Sequence, residues 1–475
     1  MTEQLTTPLT HRLIASPVGR LFQTRAFERL KVGSVDREFG VLRARAAADA
    51  TEGEGVDAFL AELGVTDPVD ASLRDEIVHA LDSHWQAKAE YDAATARWEE
   101  VVWGDADASL DERTRLEKKR REAGTAWVSP QKTFKFLTRT DLLDVVEFDV
   151  PDPETALAEW ESVPAAEVYG PPDAVPEVET SATMHGPGTR EYLVRFDSPS
   201  PFVDDTASAR VYEPFDGPED ADRPTLVFGT GLAMACDVME YWTEEEYVGR
   251  ALARQGYRVV LPVPPWHGRR EVLGSYSGEP YLARMPVSAF ELYATQAKEI
   301  AVLTQWARSV GAPVVGVGGV SLGGIVAMFV AAHADSWPDA MRPDVAFPVA
   351  ASADVAGLLF DSSLTALLGV QDALDAAGWT PENIRGLDHL LVAPETPGID
   401  PERVYPVGGL TDEMTQYQDT RAFLYQWGVP EANRLEWDCG HFGVLLRAMR
   451  TAEFQSFITD ALDEHRTAPA ARQRT

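Results

Sequence analysis

The sequence predicts an α/β fold: a mostly parallel sheet with helices on both faces, preceded by a separate helical region. Three observations carry that prediction. Short apolar strand-like runs alternate with helical runs from about residue 190 onward, the pattern of a parallel sheet with crossover helices. An apolar run ending at Gly318 passes through Gly319-Val320-Ser321-Leu322-Gly323 directly into a helix-forming run. The first 145 residues instead repeat apolar positions at three- and four-residue spacing, as helices do.

Length and charge bound the rest. The 475 residues, 45% hydrophobic and 25% charged, have ordinary globular composition, with chain enough for two domains and a sizeable core. Lys+Arg 42 against Asp+Glu 76 leaves a net charge of −34. That excess argues against a nucleic-acid partner and against adsorption to an anionic membrane surface. Cys236 and Cys439 are too few for a disulfide framework, a zinc finger or an iron–sulfur cluster, and neither metal nor cofactor is expected. The first twenty residues lack a continuous apolar core, so no signal peptide is expected and a cytoplasmic location is the default. Residues 309–332 carry no charge and imitate a membrane span in length. Their six glycines, a proline and a central serine read better as strand, turn and buried helix, so no stable membrane insertion is expected.

Residues 1–145 are the helical region. Its clearest helix, 72–103, opens with Ser72 and Asp75 as a weaker relative of a capping box and repeats Ile77, Leu81, Trp85, Tyr91, Trp98 and Val102 along one face. Residues 104–107 break the pattern and 110–122 resume it, which makes a long helical hairpin. The basic run Arg113, Arg115, Lys118, Lys119, Arg120 and Arg121 is interleaved with acids and reads as a solvated face, an acidic partner being the competing reading. The hairpin could form a homo-oligomer, fold over the rest of the chain or border a substrate entrance. Residues 146–187 read as an acidic, proline-rich extended linker, because 146–181 hold ten acids and no basic residue.

Residues 188–465 form the α/β domain, with 466–475 a polar tail. Runs 191–196 and 209–212 read as an opening hairpin, and 225–228 as a strand leading into Gly229-Thr230-Gly231. A helix over 237–255 closes at Gly256 and a strand follows at 257–262. Ser288 and Glu291 form a capping box for a helix to about residue 310. Next come a strand at 314–318, a helix at 325–334 and a strand at 345–349. An apolar insertion at 356–400 precedes strands at 404–407 and 434–438. Its Leu358, Leu359, Phe360, Leu364, Leu367, Leu368 and Leu374 suit a cap over an apolar acyl pocket, or the ordinary packing of two helices.

The pentapeptide at 319–323 carries the chemistry. A sharp strand-to-helix turn lifts a serine hydroxyl clear of the sheet, and crowding at the flanking positions admits only glycine-sized residues. The competing reading is a glycine-rich turn whose serine caps the helix. A dinucleotide-binding reading fails, because Ser321 stands where the third glycine belongs. A nucleophilic serine needs a base and an orienting acid, in the chain order Ser, acid, His. His441 follows the last strand between glycines and is the expected base; His333 lies along the elbow helix, His389 in the insertion and His465 in the polar tail. Asp412, after the strand at 404–407, is the expected acid, with Asp354 the alternative. Leu322 and Leu232 are the expected oxyanion-hole N–H donors, Thr230 and Gly231 being alternatives to Leu232. In the loop 264–270, Trp266 could wall a pocket while His267 and Arg270 contact a polar or anionic substrate group. Equally, its arginines could pair with acids and lock the loop.

Over about residues 188–465 these motifs resemble the α/β-hydrolase superfamily. Gly-Thr-Gly at 229–231, Pro-Trp-His-Gly-Arg-Arg at 265–270, Gly-Val-Ser-Leu-Gly-Gly at 319–324 and Gly-His at 440–441 are most similar to the group around α/β-hydrolase domain-containing protein 18. The resemblance implies an α/β-hydrolase fold, nucleophile Ser321, acid Asp412, base His441 and no cofactor. It does not account for the helical N-terminal third. The expected activity is hydrolysis of a small-molecule carboxylic ester through an acyl-enzyme. Thioester, amide and acyl-transfer chemistry, or a non-catalytic binding module, are the alternatives.

Overall fold

A computed structural model describes residues 5, 11, 12, 16, 25–140, 142–217 and 221–466. The expected tail from 467 onward, and most of the stretch read for a signal peptide, lie outside the described residues. The N-terminal region contains α1 (Arg25–Val32), α2 (Val35–Ala50), α3 (Val56–Glu62), α4 (Ala71–Val102) and α5 (Leu110–Trp127). Helix α4 is capped by Asp70, not by Ser72: the Asp70 backbone is extended, and its carboxylate accepts the Leu73 N–H at 3.0 Å. Ser109 caps α5 in the same way, with Asp111 and Glu112 in the first turn where the helix dipole favours them. The two helices pack as a hairpin, while Val41, Ala44, Phe59, Ile77 and Phe134 form a core beside it.

The inward face of α5 corrects the expectation of a solvated basic face for Arg120 and Arg121, whereas Arg115 and Lys119 are exposed and Arg113 and Lys118 half-buried. Thr114, Glu117, Arg120, Arg121 and Gly124 are buried, and their helical spacing puts them on one side, against the α/β domain. Arg120 holds Glu117 at 2.9 and 3.0 Å and Asp237 at 3.3 Å, with its guanidinium 4.5 Å from the Trp98 ring. Arg210 reaches both acids from the sheet, at 2.7 Å from its Nε to Asp237. Arg121 forms a two-pronged bond to Glu245, 2.7 Å on each arm, and donates to the Met239 carbonyl. Charges this deep survive only when paired and hydrogen-bonded. One turn on, a Cβ at Gly124 would lie 2.2 Å from the Val238 carbonyl oxygen, so the helix backbone itself touches the domain.

The acidic stretch 146–187 is folded rather than extended. Asp152 caps α6 (Pro153–Trp160), whose first residue is a proline, and Ala156, Val168 and Tyr169 are buried. Its apolar positions recur among the acids, so one side can pack while the carboxylates stay in water. Strands β1 (Glu179–Thr180) and β2 (Met184–Gly186) then join the sheet edge, each antiparallel to β3 (Thr189–Asp197).

The sheet continues with β4 (Thr206–Pro214), β5 (Thr225–Gly229), β6 (Arg258–Pro262), β7 (Val315–Val320), β8 (Val345–Val349), β9 (Val407–Gly409) and β10 (Leu435–Trp437). Its order is β1-β3-β4-β6-β5-β7-β8-β9-β10, antiparallel up to β6 and parallel from β6 onward. This is the α/β-hydrolase fold. Alternation along the strands sends side chains to two cores. Val227, Val260 and Val317 face α7 (Val287–Ser309) and α8 (Leu322–His333). Leu226, Phe228, Val259 and Leu261 face Tyr247, Leu252 and the C-terminal helix. After β5 the chain pairs to one side as β6 and then to the other as β7. The reversal opens a crevice at the carboxyl ends of β5 and β7.

Three local expectations differ. No helix starts at Asp237, because its φ of 63° and its bonds to Arg210 and Arg120 hold it in a loop; helix begins only near residue 243, partly as a π-turn at Glu245–Gly249. Strand β9 starts at Val407 instead of 404, because Pro406 has no N–H to give to a ladder; residue 404 keeps only an isolated bridge to Ala346. Helix α7 starts at Val287, but Ser288 donates to the Tyr281 carbonyl and Glu291 pairs with Arg284, so no capping box forms. The insertion folds as α9 (Val355–Asp361), α10 (Ser363–Leu367), α11 (Val370–Ala377) and short turns, burying Leu358, Leu359, Leu368 and Leu374. Helices α12 (Tyr417–Gln426), α13 (His441–Arg450) and α14 (Ala452–Glu464) complete the chain.

Candidate active site

Ser321 sits between β7 and α8 with φ 55° and ψ −116°, a conformation costly for a residue with a side chain. The surroundings enforce it. Ser321 N–H donates to the Val349 carbonyl at 2.9 Å and Gly323 N–H to the Thr230 carbonyl at 2.9 Å. A Cβ at Gly319 would lie 2.4 Å from Gly323, and one at Gly323 would lie 2.5 Å from Gly229. The two glycines are therefore a packing requirement: the start of α8 rests on the end of β5 backbone to backbone.

His441 Nε2 lies 3.0 Å from Ser321 Oγ, and His441 Nδ1 lies 2.8 Å from Asp412 Oδ2. The three residues follow β7, β9 and β10, parallel strands of one sheet whose carboxyl ends share an edge, with β8 between the first two. Asp412 is fixed further by the N–H groups of Met414 and Thr415 and by the Thr415 hydroxyl, at 2.9, 3.0 and 2.8 Å. Burial opposes the Asp412 charge, but His441 and these donors outweigh it and hold the carboxyl below the usual carboxylate range. Burial likewise works against a charged His441 ring. Asp412, with Glu28 adding to it, outweighs burial and raises the ring above the ordinary imidazole value.

Asp354, the alternative acid, caps α9 and accepts the Gly357 N–H at 2.7 Å. The other downstream histidines are engaged elsewhere. His333 stacks on Tyr169 with centroids 4.6 Å apart, His389 bonds the Val163 carbonyl and His465 bonds Tyr405. Leu322 opens α8, so its N–H has no intrahelical acceptor and lies beside Ser321. Thr230 directs its carbonyl to Gly323, and Leu232 borders the same small cavity as Ser321. That cavity, about 50 Å³, is walled by Leu232, Leu282, Met285, Ile325, Leu358, Leu359, Leu364 and Met414, and no charged side chain lines it.

The 264–270 loop is turned away from this cavity. Trp266 is in the main core. His267 is buried with Nδ1 2.7 Å from the Pro265 carbonyl, and burial pushes its pKa down to about 4. Arg270 is clamped by Asp205 and Glu299, and Arg269 lies over Trp98 and pairs with Glu99 of the hairpin. Of these residues none borders the Ser321 cavity. Both cysteines are free thiols. Among the described residues no group of three His, Cys, Asp or Glu side chains is arranged to hold a metal ion, and no helix is long and apolar enough to cross a membrane.

Sequence reasoning missed Glu28. Its carboxylate accepts the Phe442 and Gly443 N–H groups, each at 3.0 Å, in the first turn of α13. No local motif ties residue 28 to residue 441; the one sequence-level hint is that Gly440, at the N-cap of α13, has no side chain to do the capping.

No family model matches the chain, and no curated protein does. Among solved structures, an acylaminoacyl peptidase from Pyrococcus horikoshii is 15% identical with a TM-score of 0.41, covering 60% of this chain and 43% of its own. An acetyl xylan esterase from Paenibacillus sp. R4 is 14% identical with a TM-score of 0.41, covering 67% and 96%. A putative hydrolase from Legionella pneumophila is 13% identical with a TM-score of 0.40, covering 68% and 97%. The chain thus matches less than half the length of the peptidase. Likeness this remote carries no inference about substrate, and nothing in it singles out the group around α/β-hydrolase domain-containing protein 18.

Proposed function

We propose that this protein is a serine hydrolase that cleaves small carboxylic esters through an acyl-enzyme. One observation carries the reading: a serine held at positive φ on a strand-to-helix turn, 3.0 Å from an imidazole whose other nitrogen is 2.8 Å from a buried carboxylate. In this reading His441 Nε2 takes the Ser321 proton as Oγ attacks the ester carbonyl. Asp412 accepts from Nδ1–H, fixing the tautomer and stabilising the imidazolium. The carbonyl oxygen, now charged, takes hydrogen bonds from the Leu322 N–H and from an N–H of the 230–232 loop, Leu232 being favoured. His441 then gives its proton to the departing alcohol, and the same base activates water to release the acid.

The walls of the adjoining cavity extend the reading to the acyl group. With about 50 Å³ and no charge, it suits a short, neutral acyl chain of a few carbons; a water molecule needs roughly 10–15 Å³ on such a measure. Two free thiols suit a reducing compartment such as the cytoplasm. The test is a fluorophosphonate probe followed by nitrophenyl esters of increasing acyl length. Labelling that disappears in Ser321→Ala, with turnover greatest on the shortest acyl chains, is the expected result. An unlabelled wild type, or equal labelling of Ser321→Ala, refutes the hydrolase reading. Activity confined to amides or thioesters refutes the ester assignment.

A further inference from the structure

Among the described residues, helix α1 of the N-terminal region reaches the loop and helix that carry His441. Helix α13 begins at His441, and its first N–H groups have no carbonyl one turn back to bond. The residue before it, Gly440, carries no side chain, so nothing local caps the helix. Glu28 of α1 fills the place from more than 400 residues away, one carboxylate oxygen on the Phe442 N–H and the other on the Gly443 N–H, both at 3.0 Å. A Cβ at Gly440 would stand 2.7 Å from that carboxylate, so the glycine leaves the room it occupies. Lys31, one turn along α1, lies over the Phe442 ring at 5.9 Å from its centroid.

We infer that Glu28 is a positioning residue for His441: it closes the N-terminus of α13, fixes the His441 backbone against Ser321 and makes α1 part of the catalytic site. The inference rests on the proposed hydrolase reading for its consequence in catalysis, though not for its effect on the imidazole. The charged and titratable groups around the ring are Asp412 from the β9 loop and Glu28 from α1. Lys31 of α1 lies over the Phe442 ring, and Asp438, Cys439 and Arg447 belong to the loop and helix that carry His441. A carboxylate here raises the ring's proton affinity, and it also offsets the positive end of the helix, which would lower it. Removing Glu28 therefore moves the His441 titration downward on both counts.

The experiment measures the His441 ring by NMR across pH in wild type, Glu28→Gln and Glu28→Ala, with His441→Ala to assign the resonance. In parallel the pH dependence of fluorophosphonate labelling is followed in each. Glu28→Gln keeps the shape and one acceptor oxygen while losing the charge; it is the variant that decides if Glu28→Ala fails to fold. Expected is a His441 midpoint about half a pH unit or more lower in Glu28→Gln. On the alkaline plateau, where the ring is neutral in every variant, labelling should slow about three- to tenfold through lost positioning, while the acid limb moves down with the ring. A midpoint within 0.1 unit of wild type, or a labelling limb that does not follow it, overturns the inference. A wild type that never labels overturns the hydrolase reading instead, and the NMR comparison still decides whether Glu28 governs the ring.

Discussion

Replacing Arg120 by methionine isolates the junction between the helical hairpin and the sheet. The side chain is fully buried, bonded to Glu117 at 2.9 and 3.0 Å and to Asp237 at 3.3 Å. Glu117 and Asp237 would then keep Arg210 as their one directly bonded cation among the described residues, and Arg210 is itself shared with Glu191 at 3.5 Å, in a site without solvent. Breaking a buried ion pair from one side costs about 3–5 kcal/mol, because a charge is left uncompensated. A chain with several separate cores need not unfold in one step, so the readout is local: hydrogen exchange of the α5 amides, which reports opening of that helix. A loss of about 3 kcal/mol speeds exchange roughly a hundredfold. The double variant Glu117→Gln/Arg120→Met removes one charge of each sign and leaves Arg210 on Asp237 at 2.7 Å. It should recover about 2 kcal/mol relative to the sum of the single changes, the coupling expected of partners in one network. Exchange in Arg120→Met within threefold of wild type, or a double variant equal to the sum of the singles, refutes the claim that this network holds the hairpin down.

Three other changes separate roles within the fold. Because His441 is held above the ordinary imidazole value and must be neutral to act as base, activity should fall as pH drops through a midpoint above about 6.5. A midpoint at or below 6 in kcat/KM against pH contradicts the assignment, and Asp412→Asn should lower kcat about 10³–10⁴-fold. Arg270→Leu should leave KM within about twofold while lowering thermal stability, because Asp205 and Glu299 lose their common partner. A large rise in KM at unchanged stability would return Arg270 to substrate binding. Gly323→Ala puts a methyl group 2.5 Å from the Gly229 backbone and should slow probe labelling at Ser321 by more than tenfold in protein that still folds; unchanged labelling would show that the elbow tolerates the shift.

The parts of this molecule legible in the sequence are those written in local spacing. Alternating apolar runs placed β5, β6, β7 and β8 within a residue or two, and Gly-x-Ser-x-Gly located the elbow because backbone crowding there demands glycine. Chain order together with position after a strand picked out His441, which stands within hydrogen-bonding distance of Ser321, and Asp412, which stands within that distance of His441, with Asp354 as the alternative acid in the same order. The misreadings share one cause. Helical spacing shows that Glu117, Arg120 and Arg121 share a face, but not that the face meets Arg210, Asp237 and Glu245 rather than water. Charge density at 146–187 suggested an open linker, because composition averages over the few apolar positions, such as Ala156 and Tyr169, that decide packing. Trp266, His267 and Arg270 lie after the right strand. Whether such a loop faces the crevice or the core depends on partners far away in the chain, here Asp205 and Glu299.

The same long-range pairing changes the meaning of the acidic composition. Arginine provides 35 of the 42 basic residues, and several are interior: Arg45, Arg120, Arg121, Arg210, Arg250, Arg258 and Arg270 are all nearly inaccessible. Each faces a carboxylate, as Arg250 faces Glu191, Glu245 and Glu246. A planar guanidinium bonds two acids at once where an ammonium would act as a point charge, which favours arginine over lysine in such sites. Positive charge is thus drawn inward to hold the hairpin, the 264–270 loop and the sheet together, and the surface keeps the uncompensated acids behind the net −34. Raised salt screens charges exposed to water and barely reaches pairs excluded from it. Salt should therefore relieve repulsion across the outside without loosening the junction, and the hydrogen exchange of α5 should stay unchanged or slow as ionic strength rises. Faster exchange at higher salt would mean that the junction is wet, and that its ion pairs act at the surface.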